Sequence, residues 1–293
     1  MLEPEKKKTD KKHISISQIG TYTKCPKMWW YKYIAGYESK TAFTSQPLLM
    51  GKYWGMFIEC SYTEWNEGNK SDRLEIEKEM ADTWESISDQ NKCKLNALME
   101  AWDLKIKPLK MECEKKVLIP LNDEYDILGY MDRYKVMKSG EKVFVETKLT
   151  SVPDKYLALD IVETQLGVYF CSDEDIKRCK LEIIRTPQQR LKKDENYEDY
   201  TARILSEICQ DVGKFFIGYN KKQRVCGKVV HKSEINIDRV KEDVYDVLNG
   251  LDKKIFFRNT DNCISNFGFC DYYTVCRQGV KLEEDLSLRK RNK

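Results

Sequence analysis

Apolar and polar residues alternate with a period of two in two neighbouring runs of the chain, residues 130–137 and 141–149. The runs flank a short segment, 138–140, that ends with Gly140. Alternation on both sides of a three-residue loop predicts a β-hairpin, and glycine at the last loop position is typical of a type I turn closed by a left-handed residue. We therefore expect two antiparallel strands here, at the centre of the fold.

Acidic side chains face each other across this predicted hairpin. If Met137 pairs with Glu141, Asp132 lies directly opposite Glu146, and Lys148 shares the face of Glu146. Directly opposed side chains lie about 5 Å apart, where like charges are destabilising. A hard divalent cation such as Mg²⁺ or Mn²⁺, which prefers oxygen ligands, would relieve that repulsion. Carboxylates, a divalent metal and a lysine together suit the hydrolysis of phosphodiester bonds.

The chain before the hairpin reads as mainly helical. Ser15 followed by Gln18 fits a capping box, and Pro26 is expected to end that first helix and to open a second, aromatic one. Residues 61–112 carry apolar side chains mostly every three or four positions, which predicts two or three amphipathic helices inserted ahead of the sheet. The tryptophans of this insertion, among them Trp65 and Trp102, are expected to form a core stripe rather than a surface that stacks bases.

Strand and helix patterns alternate in the rest of the chain, which favours an α/β fold. Strands are predicted at 116–121 and 180–186, helices at 151–171, 196–212 and 237–257, and short edge strands at 214–219 and 224–231. Gly129, just before the acidic strand, indicates a bulge or a close approach of the backbone.

Three motifs, taken in order, resemble the core of the PD-(D/E)XK nuclease superfamily. They are Asp132, the tripeptide E-T-K at 146–148, and Gln165 with Tyr169 in the pattern Q-x3-Y. The last motif is similar to a helix of the RecB-type branch, which includes the RecB and AddB nuclease domains, CRISPR-associated adaptation nucleases and phage exonucleases. The resemblance implies a restriction-endonuclease-like core in which Gln165 orients a catalytic group or a phosphate and Tyr169 contacts the nucleic acid.

The resemblance also assigns roles at the hairpin. Asp132, Glu146 and the carbonyl of Thr147 would hold Mg²⁺ or Mn²⁺, and Lys148 would position the attacking water and offset charge. These residues would make the protein a divalent-metal-dependent phosphodiester hydrolase that acts on DNA, most simply as an exonuclease.

The first motif of the family, G-x3-H-x3-E, is matched only in part. Gly51 and Glu59 match it, whereas Gly55 occupies the histidine position. That histidine normally helps to hold the metal, so Glu59 is a candidate metal ligand here. Either Glu59 or a water could replace the histidine, or the metal could be bound by fewer side chains.

Cysteines near the end of the sequence are spaced like metal ligands. Cys263, Cys270 and Cys276 form C-x6-C-x5-C after the last long helix. In the iron–sulfur branch of RecB-type nucleases, three C-terminal cysteines join an N-terminal cysteine before a proline, here Cys25, around a 4Fe–4S cluster. Many relatives have x2 where this chain has x6, so Cys263 departs from the pattern. Zinc would tolerate the same spacing, and the third alternative is that these are ordinary thiols.

Composition limits the classes of protein to which the chain can belong. It has 293 residues, 34% charged, with eleven cysteines and a net charge of +3. No long apolar run or secretory signal is present, so we expect a cytoplasmic protein, in a bacterial cell or a phage-infected host, with free thiols and no membrane partner. The net charge alone is too small to prove a nucleic-acid partner.

The expected organisation is a charged tail (1–13), one nuclease domain (14–280) and a second charged tail (281–293). The domain would contain a mixed central sheet flanked by helices, the helical insertion (61–112) and a cysteine clasp (262–277). The expected partner is DNA, single-stranded or with free ends, in recombination, repair or phage DNA processing, where recombination or replication proteins could be further partners. Two alternatives remain: a non-catalytic nucleic-acid-binding or assembly subunit with this fold, and a zinc-clasped structural protein.

Overall fold

The computed structural model describes residues 11–40, 45–63, 70–107, 109–159, 161–265, 268–285 and 287–290. The helices are α1 (Ile16–Lys24), α2 (Pro26–Trp29), α3 (Gln46–Tyr62), α4 (Lys70–Glu85), α5 (Asp89–Lys105), α6 (Pro153–Leu157), α7 (Glu163–Cys171), α8 (Tyr197–Gln210), α9 (Val212–Phe215), α10 (Ile237–Asp252) and α11 (Tyr273–Gln278). The strands are β1 (Lys12–Ser15), β2 (Tyr37–Ser39), β3 (Glu112–Pro120), β4 (Tyr125–Val136), β5 (Lys142–Thr150), β6 (Ile176–Arg185), β7 (Lys228–His231), β8 (Ile264–Ser265), β9 (Gly268–Phe269) and β10 (Leu288–Lys290). A π-helical turn, Trp30–Ile34, follows α2. Within these segments no helix combines the length and the apolar character needed to cross a membrane.

A mixed sheet forms the centre of the molecule. In it β4 pairs antiparallel with β3 and β5, β5 pairs parallel with β6, and β6 pairs antiparallel with β7. The short strand β1 joins β4 in the parallel direction. Helices cover both faces of this sheet, so the predicted mixed sheet flanked by helices is confirmed.

One edge of β4 is divided between two partners. Residues 125–128 of β4 pair with β1, and residues 133–136 pair with β5, while β3 runs along the other edge. Residues 129–132 lie between the two partners. The strands β4 and β5 therefore separate beyond the pair Arg133 and Val145, and we call this point the fork.

The turn between β4 and β5 has the predicted form. The N–H of Gly140 donates to the carbonyl of Met137 at 2.8 Å, and Gly140 has a left-handed φ of +84°. The N–H of Met137 donates to the carbonyl of Glu141 at 2.8 Å. Because the turn fixes the alignment of the strands, Arg133 faces Val145, and the predicted register is confirmed.

Each face of the sheet has its own apolar cluster. The cluster on one face joins α1, α7 and α10 to the sheet through residues that include Ile19, Leu166, Val244 and Phe144. The cluster on the other face joins α3, α5 and α8 to β6 through residues that include Trp54, Trp102, Ile204 and Ile184. Trp102 is buried, as the predicted core stripe requires, whereas Trp65 lies outside the described residues.

Local signals in the sequence set several element boundaries. Ser15 caps α1: its Oγ accepts the N–H of Gln18 at 3.2 Å, and Gln18 Oε1 accepts the N–H of Ser15 at 2.8 Å, so the predicted capping box is confirmed. Pro26 opens α2 as expected. The single helix predicted over 151–171 is instead α6 and α7, because the chain turns between them and Leu159 takes a φ of +68°.

Other boundaries differ from the prediction for longer-range reasons. Strand β3 begins at Glu112 rather than at residue 116, because its polar first half pairs with β4. Residues predicted to begin an edge strand at 214 belong instead to α9, which Asp211 caps by accepting the N–H of Lys214 at 3.2 Å.

The two expected tails contain paired strands. Lys12 and His13 belong to β1, so the first tail ends before residue 12, and residues 1–10 lie outside the described part. Toward the other end, β10 pairs antiparallel with β2, and Leu288 is buried. Nearby, the rings of Tyr31 and Tyr272 stack with their centroids 5.1 Å apart. The segments at either end of the chain therefore pack against each other.

Candidate active site

The fork brings together the acidic residues that the sequence predicts to face each other. Asp132 is the first residue of β4 beyond its ladder with β5. The N–H of Thr147 on β5 donates to Asp132 Oδ2 at 2.6 Å. The carboxylate of Asp132 therefore accepts a hydrogen bond that a backbone carbonyl accepts in a regular sheet. This bond holds β4 and β5 in a fixed relation where they part.

Glu146 is the most deeply buried of these groups. Its Oε1 accepts hydrogen bonds from Lys148 Nζ at 2.5 Å and from Gln165 Nε2 at 2.8 Å. Its Oε2 is buried and has no hydrogen-bond partner among the residues that the structure describes. The side chain of Lys148 is 26% exposed, so its ammonium group connects Glu146 to the protein surface. Gln165 thus contacts Glu146 directly, and the role that the resemblance gives it stays a prediction.

The electrostatics of the fork favour a shared proton. Burial, and then the charge of Asp132, raise the pKa of Glu146 to about 8. Burial also raises the pKa of Asp132, although Lys148 and the Thr147 N–H oppose that change. Burial opposes the charge of Lys148, but the two carboxylates outweigh it and raise the pKa of Lys148. Near neutral pH the Asp132–Glu146 pair therefore retains a proton unless a cation replaces it.

Tyr169 closes the gap in the edge of β4 and is buried there. It is 2% exposed, and its hydroxyl donates to the carbonyl of Tyr130 and accepts from Gln165 Nε2 at 3.3 Å. A Cβ on Gly129 would lie 2.8 Å from the Tyr169 ring, so the close backbone approach predicted at Gly129 is present. Both its ring and its hydroxyl are engaged inside the protein, and contact between Tyr169 and nucleic acid stays a prediction.

A cavity of about 120 Å³ opens beside Asp132 and Thr147. Its wall on the α3 side includes Glu59, the predicted additional ligand, and Gly55, which occupies the position of the family's histidine. A Cβ added to Gly55 would meet nothing within 4 Å, so the space of the missing side chain is open.

Glu114 lines the same cavity and was not predicted from the sequence. Strand β3 pairs Cys113 with Arg133 and Lys115 with Met131, which leaves Glu114 alongside Asp132. Partial burial and the carboxylates of Asp132 and Glu59 raise the pKa of Glu114 to about 7, although its side chain reaches solvent at the cavity mouth. Extending the predicted strand at 116–121 toward its N-terminus would have placed this residue beside Asp132.

The four candidate cysteine ligands lie in segments that contact each other. The N–H of Asn259 points to the sulfur of Cys25 at 3.5 Å, and the N–H of Cys270 donates to the carbonyl of Cys263 at 2.8 Å. Burial raises the pKa of both Cys270 and Cys276, and the thiols of Cys25 and Cys263 add to the increase in each case. All four are free thiols. The fold therefore gathers the N-terminal cysteine and the three C-terminal ones into one region.

The donor atoms suit the expected metals. In the described part of the chain, no three His, Cys, Asp or Glu side chains are already arranged as ligands of one ion. The unpartnered Oε2 of Glu146 nevertheless marks a position where a buried carboxylate needs a positive partner. Oxygen donors at the fork suit Mg²⁺ or Mn²⁺, and thiols suit iron or zinc.

Comparisons with known proteins bear on this site. The family model described as the PD-(D/E)XK nuclease superfamily matches residues 13–277. No curated protein matches the chain. Among solved structures, a phage-related exonuclease from Haemophilus somnus 129PT is 16% identical, with a TM-score of 0.35, and the match covers 68% of this chain and 93% of that one. The structure of SSO0001 is 19% identical, with a TM-score of 0.25 and coverage of 56% and 73%. Both scores are below 0.5, so the family match and the chain's own topology carry the assignment.

Proposed function

The chain belongs to the PD-(D/E)XK nuclease superfamily, and we propose that it is a Mg²⁺- or Mn²⁺-dependent DNA exonuclease of the RecB-type branch. The observation that carries the proposal is the geometry of the fork. Asp132, Glu146, Lys148 and Gln165 converge there through direct hydrogen bonds, and Glu146 retains a buried oxygen without a partner. The Q-x3-Y helix supports the branch, since Gln165 contacts Glu146.

The metal would be held by Asp132, Glu146 and the carbonyl of Thr147, with Glu59 close enough to the cavity to contribute. When bound, such an ion supplies charge stabilisation and lowers the pKa of a water. Gln165 keeps the Glu146 carboxylate in one orientation, which preserves the site for the ion.

Lys148 is the proposed link to the substrate. Its ammonium contacts Glu146 but remains partly exposed, so it can reach a phosphate or a water at the surface of the cleft. There it would orient the attacking water and offset the negative charge that develops on the phosphate. The raised pKa of Lys148 keeps the group charged through the neutral range.

The test is the cleavage of end-labelled linear DNA and of closed circular single-stranded DNA, with Mg²⁺ or Mn²⁺ and with chelator. We expect metal-dependent loss of the linear substrate alone. Lys148→Ala should abolish it, whereas Lys142→Ala should not, because Lys142 lies on the same strand at the far end and pairs with Asp173 and Asp175. Cleavage of the circular substrate would show that the protein is an endonuclease rather than an exonuclease.

We also propose that one domain extends from β1 to β10, beyond the expected bounds of 14–280, with the insertion at 61–112, and that the clasp at 262–277 joins Cys25 around a 4Fe–4S cluster. The gathering of the four thiols supports this. The cluster would tie the chain's segments together rather than take part in hydrolysis. Iron analysis of protein purified without oxygen should give about four iron atoms per chain. Zinc without iron would identify zinc as the metal of the clasp. The absence of both metals would show that these residues are ordinary thiols.

The proposed setting is DNA recombination, repair or phage DNA processing in the cytoplasm. One feature favours a second candidate function, a nucleic-acid-binding or assembly subunit without activity: Gly55 leaves the histidine position open. Protein that carries its metal clasp and binds DNA, yet cleaves neither the linear nor the circular substrate, would establish that candidate.

A further inference from the structure

A buried ion pair lies directly behind the fork, on the other face of the sheet from Glu146. Arg133, the residue after Asp132, donates to Glu182 on β6, and their side chains are only 3% and 4% exposed. Lys180 also contacts Glu182, at 3.0 Å, and the guanidinium carbon of Arg133 lies 4.9 Å from the centre of the Tyr62 ring. The charge of Glu182 is thus fully compensated inside the protein.

The same arginine reaches the middle of the E-T-K motif. Its second hydrogen bond runs from Nη2 to the hydroxyl of Thr147 at 2.9 Å. Thr147 is therefore held from two directions, since its N–H donates to Asp132 on the side of the fork. These two bonds hold the N–H and the side chain of Thr147, and so fix the Cα between them, from which the carbonyl of Thr147 extends.

The energetics favour a role beyond packing. Replacing a buried ion pair by apolar side chains of similar volume is often neutral or stabilising, so folding alone gives little reason to keep charges here. The surroundings of Arg133 are largely apolar, and they include Tyr62 and Val145. A planar, permanently charged side chain, in contrast, can bond Glu182 and Thr147 at once in one rigid geometry.

We propose that Arg133 is a positioning residue of the nuclease site, which Glu182 holds in place so that Arg133 can hold Thr147 with its carbonyl directed to the metal. The inference rests on the proposed metal-dependent function. It extends that function by assigning a role to residues that contact neither the metal nor DNA.

The first test removes the hydroxyl of Thr147 and keeps its shape. Thr147→Val should weaken Mn²⁺ binding to the full chain, measured without DNA by electron paramagnetic resonance, by about 10- to 100-fold. It should lower kcat by a similar factor and leave KM for DNA nearly unchanged. Thr147→Ser should restore both values. The matched control is Thr150→Val on the same strand, whose hydroxyl accepts the N–H of Val152 and which should behave as wild type.

The second test removes the ion pair itself. Arg133→Met alone would leave Glu182 buried without its partner and could prevent folding, so Arg133→Met is combined with Glu182→Leu. The double variant should fold cooperatively and show the same loss of Mn²⁺ affinity as Thr147→Val. Wild-type Mn²⁺ binding and kcat in both the double variant and Thr147→Val would overturn the positioning role alone. Failure of the wild-type protein to bind Mn²⁺ would overturn the proposed function and this role together.

Discussion

Two buried glutamates on neighbouring strands, Glu146 and Glu182, have pKa values that the protein shifts in opposite directions. Glu182 lies next to Thr147 across the parallel pair of β5 and β6, and both glutamates are almost fully buried. Burial would raise the pKa of Glu182, but Arg133 and Lys180 outweigh it and hold that pKa below its usual value. Burial and Asp132 instead raise the pKa of Glu146 to about 8, despite Lys148.

The difference shows which carboxylate is compensated within the protein and which is left for a bound cation to compensate. Glu182 has two cations for one charge, so its ionised form is stable within the protein alone. Glu146 shares one lysine with Asp132 and keeps an oxygen without a partner. A buried acid left uncompensated is costly for folding, and such groups cluster where a ligand completes the charge balance.

The substitution with the largest expected effect is Glu146→Gln. We expect cleavage to fall about a thousandfold, because an ionisable ligand is lost while the shape is kept. The free energy of unfolding of the metal-free protein should rise, since a repulsive charge is removed. Gel-based cleavage and chemical denaturation measure the two effects. The control is Glu141→Gln, next to the hairpin turn, which should change cleavage little. Equal losses of cleavage in both variants would contradict the assignment of Glu146 to the site.

The reciprocal change, Glu182→Gln, should lower stability in addition to loosening Arg133 behind Thr147. It leaves the buried guanidinium of Arg133 without a charged partner, which should lower the free energy of unfolding by about 3 kcal/mol. Guanidinium-induced unfolding of the metal-free protein checks this value. A stability equal to that of the wild type would show that Glu182 is not the structural member of the pair.

The pH dependence of the free energy of unfolding should reflect the protonation of Glu146, the glutamate whose charge is not compensated. The folded state holds the proton of Glu146 more tightly than the unfolded chain does, because its pKa rises from 4.5 to about 8. This contribution is complete below about pH 4.5 and is lost as the pH rises through about 8. The free energy of unfolding without metal should therefore fall between pH 5 and 8, by about 3–4 kcal/mol. Glu146→Gln should flatten the slope; an unchanged slope would place the proton elsewhere.

Glu114 offers an intermediate case, with a pKa of about 7 and a side chain that reaches solvent. Glu114→Gln should weaken Mn²⁺ binding only a few-fold, because it removes one negative charge at the mouth of the cavity. Glu112→Gln on the same strand is the control, since Glu112 pairs with Lys115 at the surface. Calorimetric titration with Mn²⁺ compares the two variants, and equal affinities would exclude Glu114 from the charge balance of the fork.

Sequence patterns predicted the parts of the fold that depend on neighbouring residues. The hairpin, its turn at Gly140 and the capping box at Ser15 each follow from a few adjacent positions. Strands β1 and β10 were missed because each is short and polar in part, and their partners β4 and β2 are far away in the chain. Short strands acquire their identity from the edge that they join, which no local period encodes.

The site was predicted as a set of residues rather than as a set of contacts. The motif order identified Asp132, Glu146 and Lys148, but it could not show that Tyr169 is buried against β4. Nor could it show that Arg133 bonds Thr147 from behind, because an arginine on a strand reads equally well as a surface residue. These roles depend on which strands lie side by side at the fork.

The contact between the aromatic segment around Tyr37 and the one around Tyr272 affects the order in which parts of the protein fold during translation. The hydroxyl of Tyr272 bonds the carbonyl of Tyr37, 235 positions earlier. Contacts so distant in sequence close late, and a ribosome delivers Tyr272 only after every strand of the central sheet has emerged. Until then the aromatic turn at Trp30–Ile34 lacks its cover and stays open to chaperones that hold exposed apolar surface. The sheet can form while the chain is still being translated, but this corner of the protein is completed only after Tyr272 has been delivered.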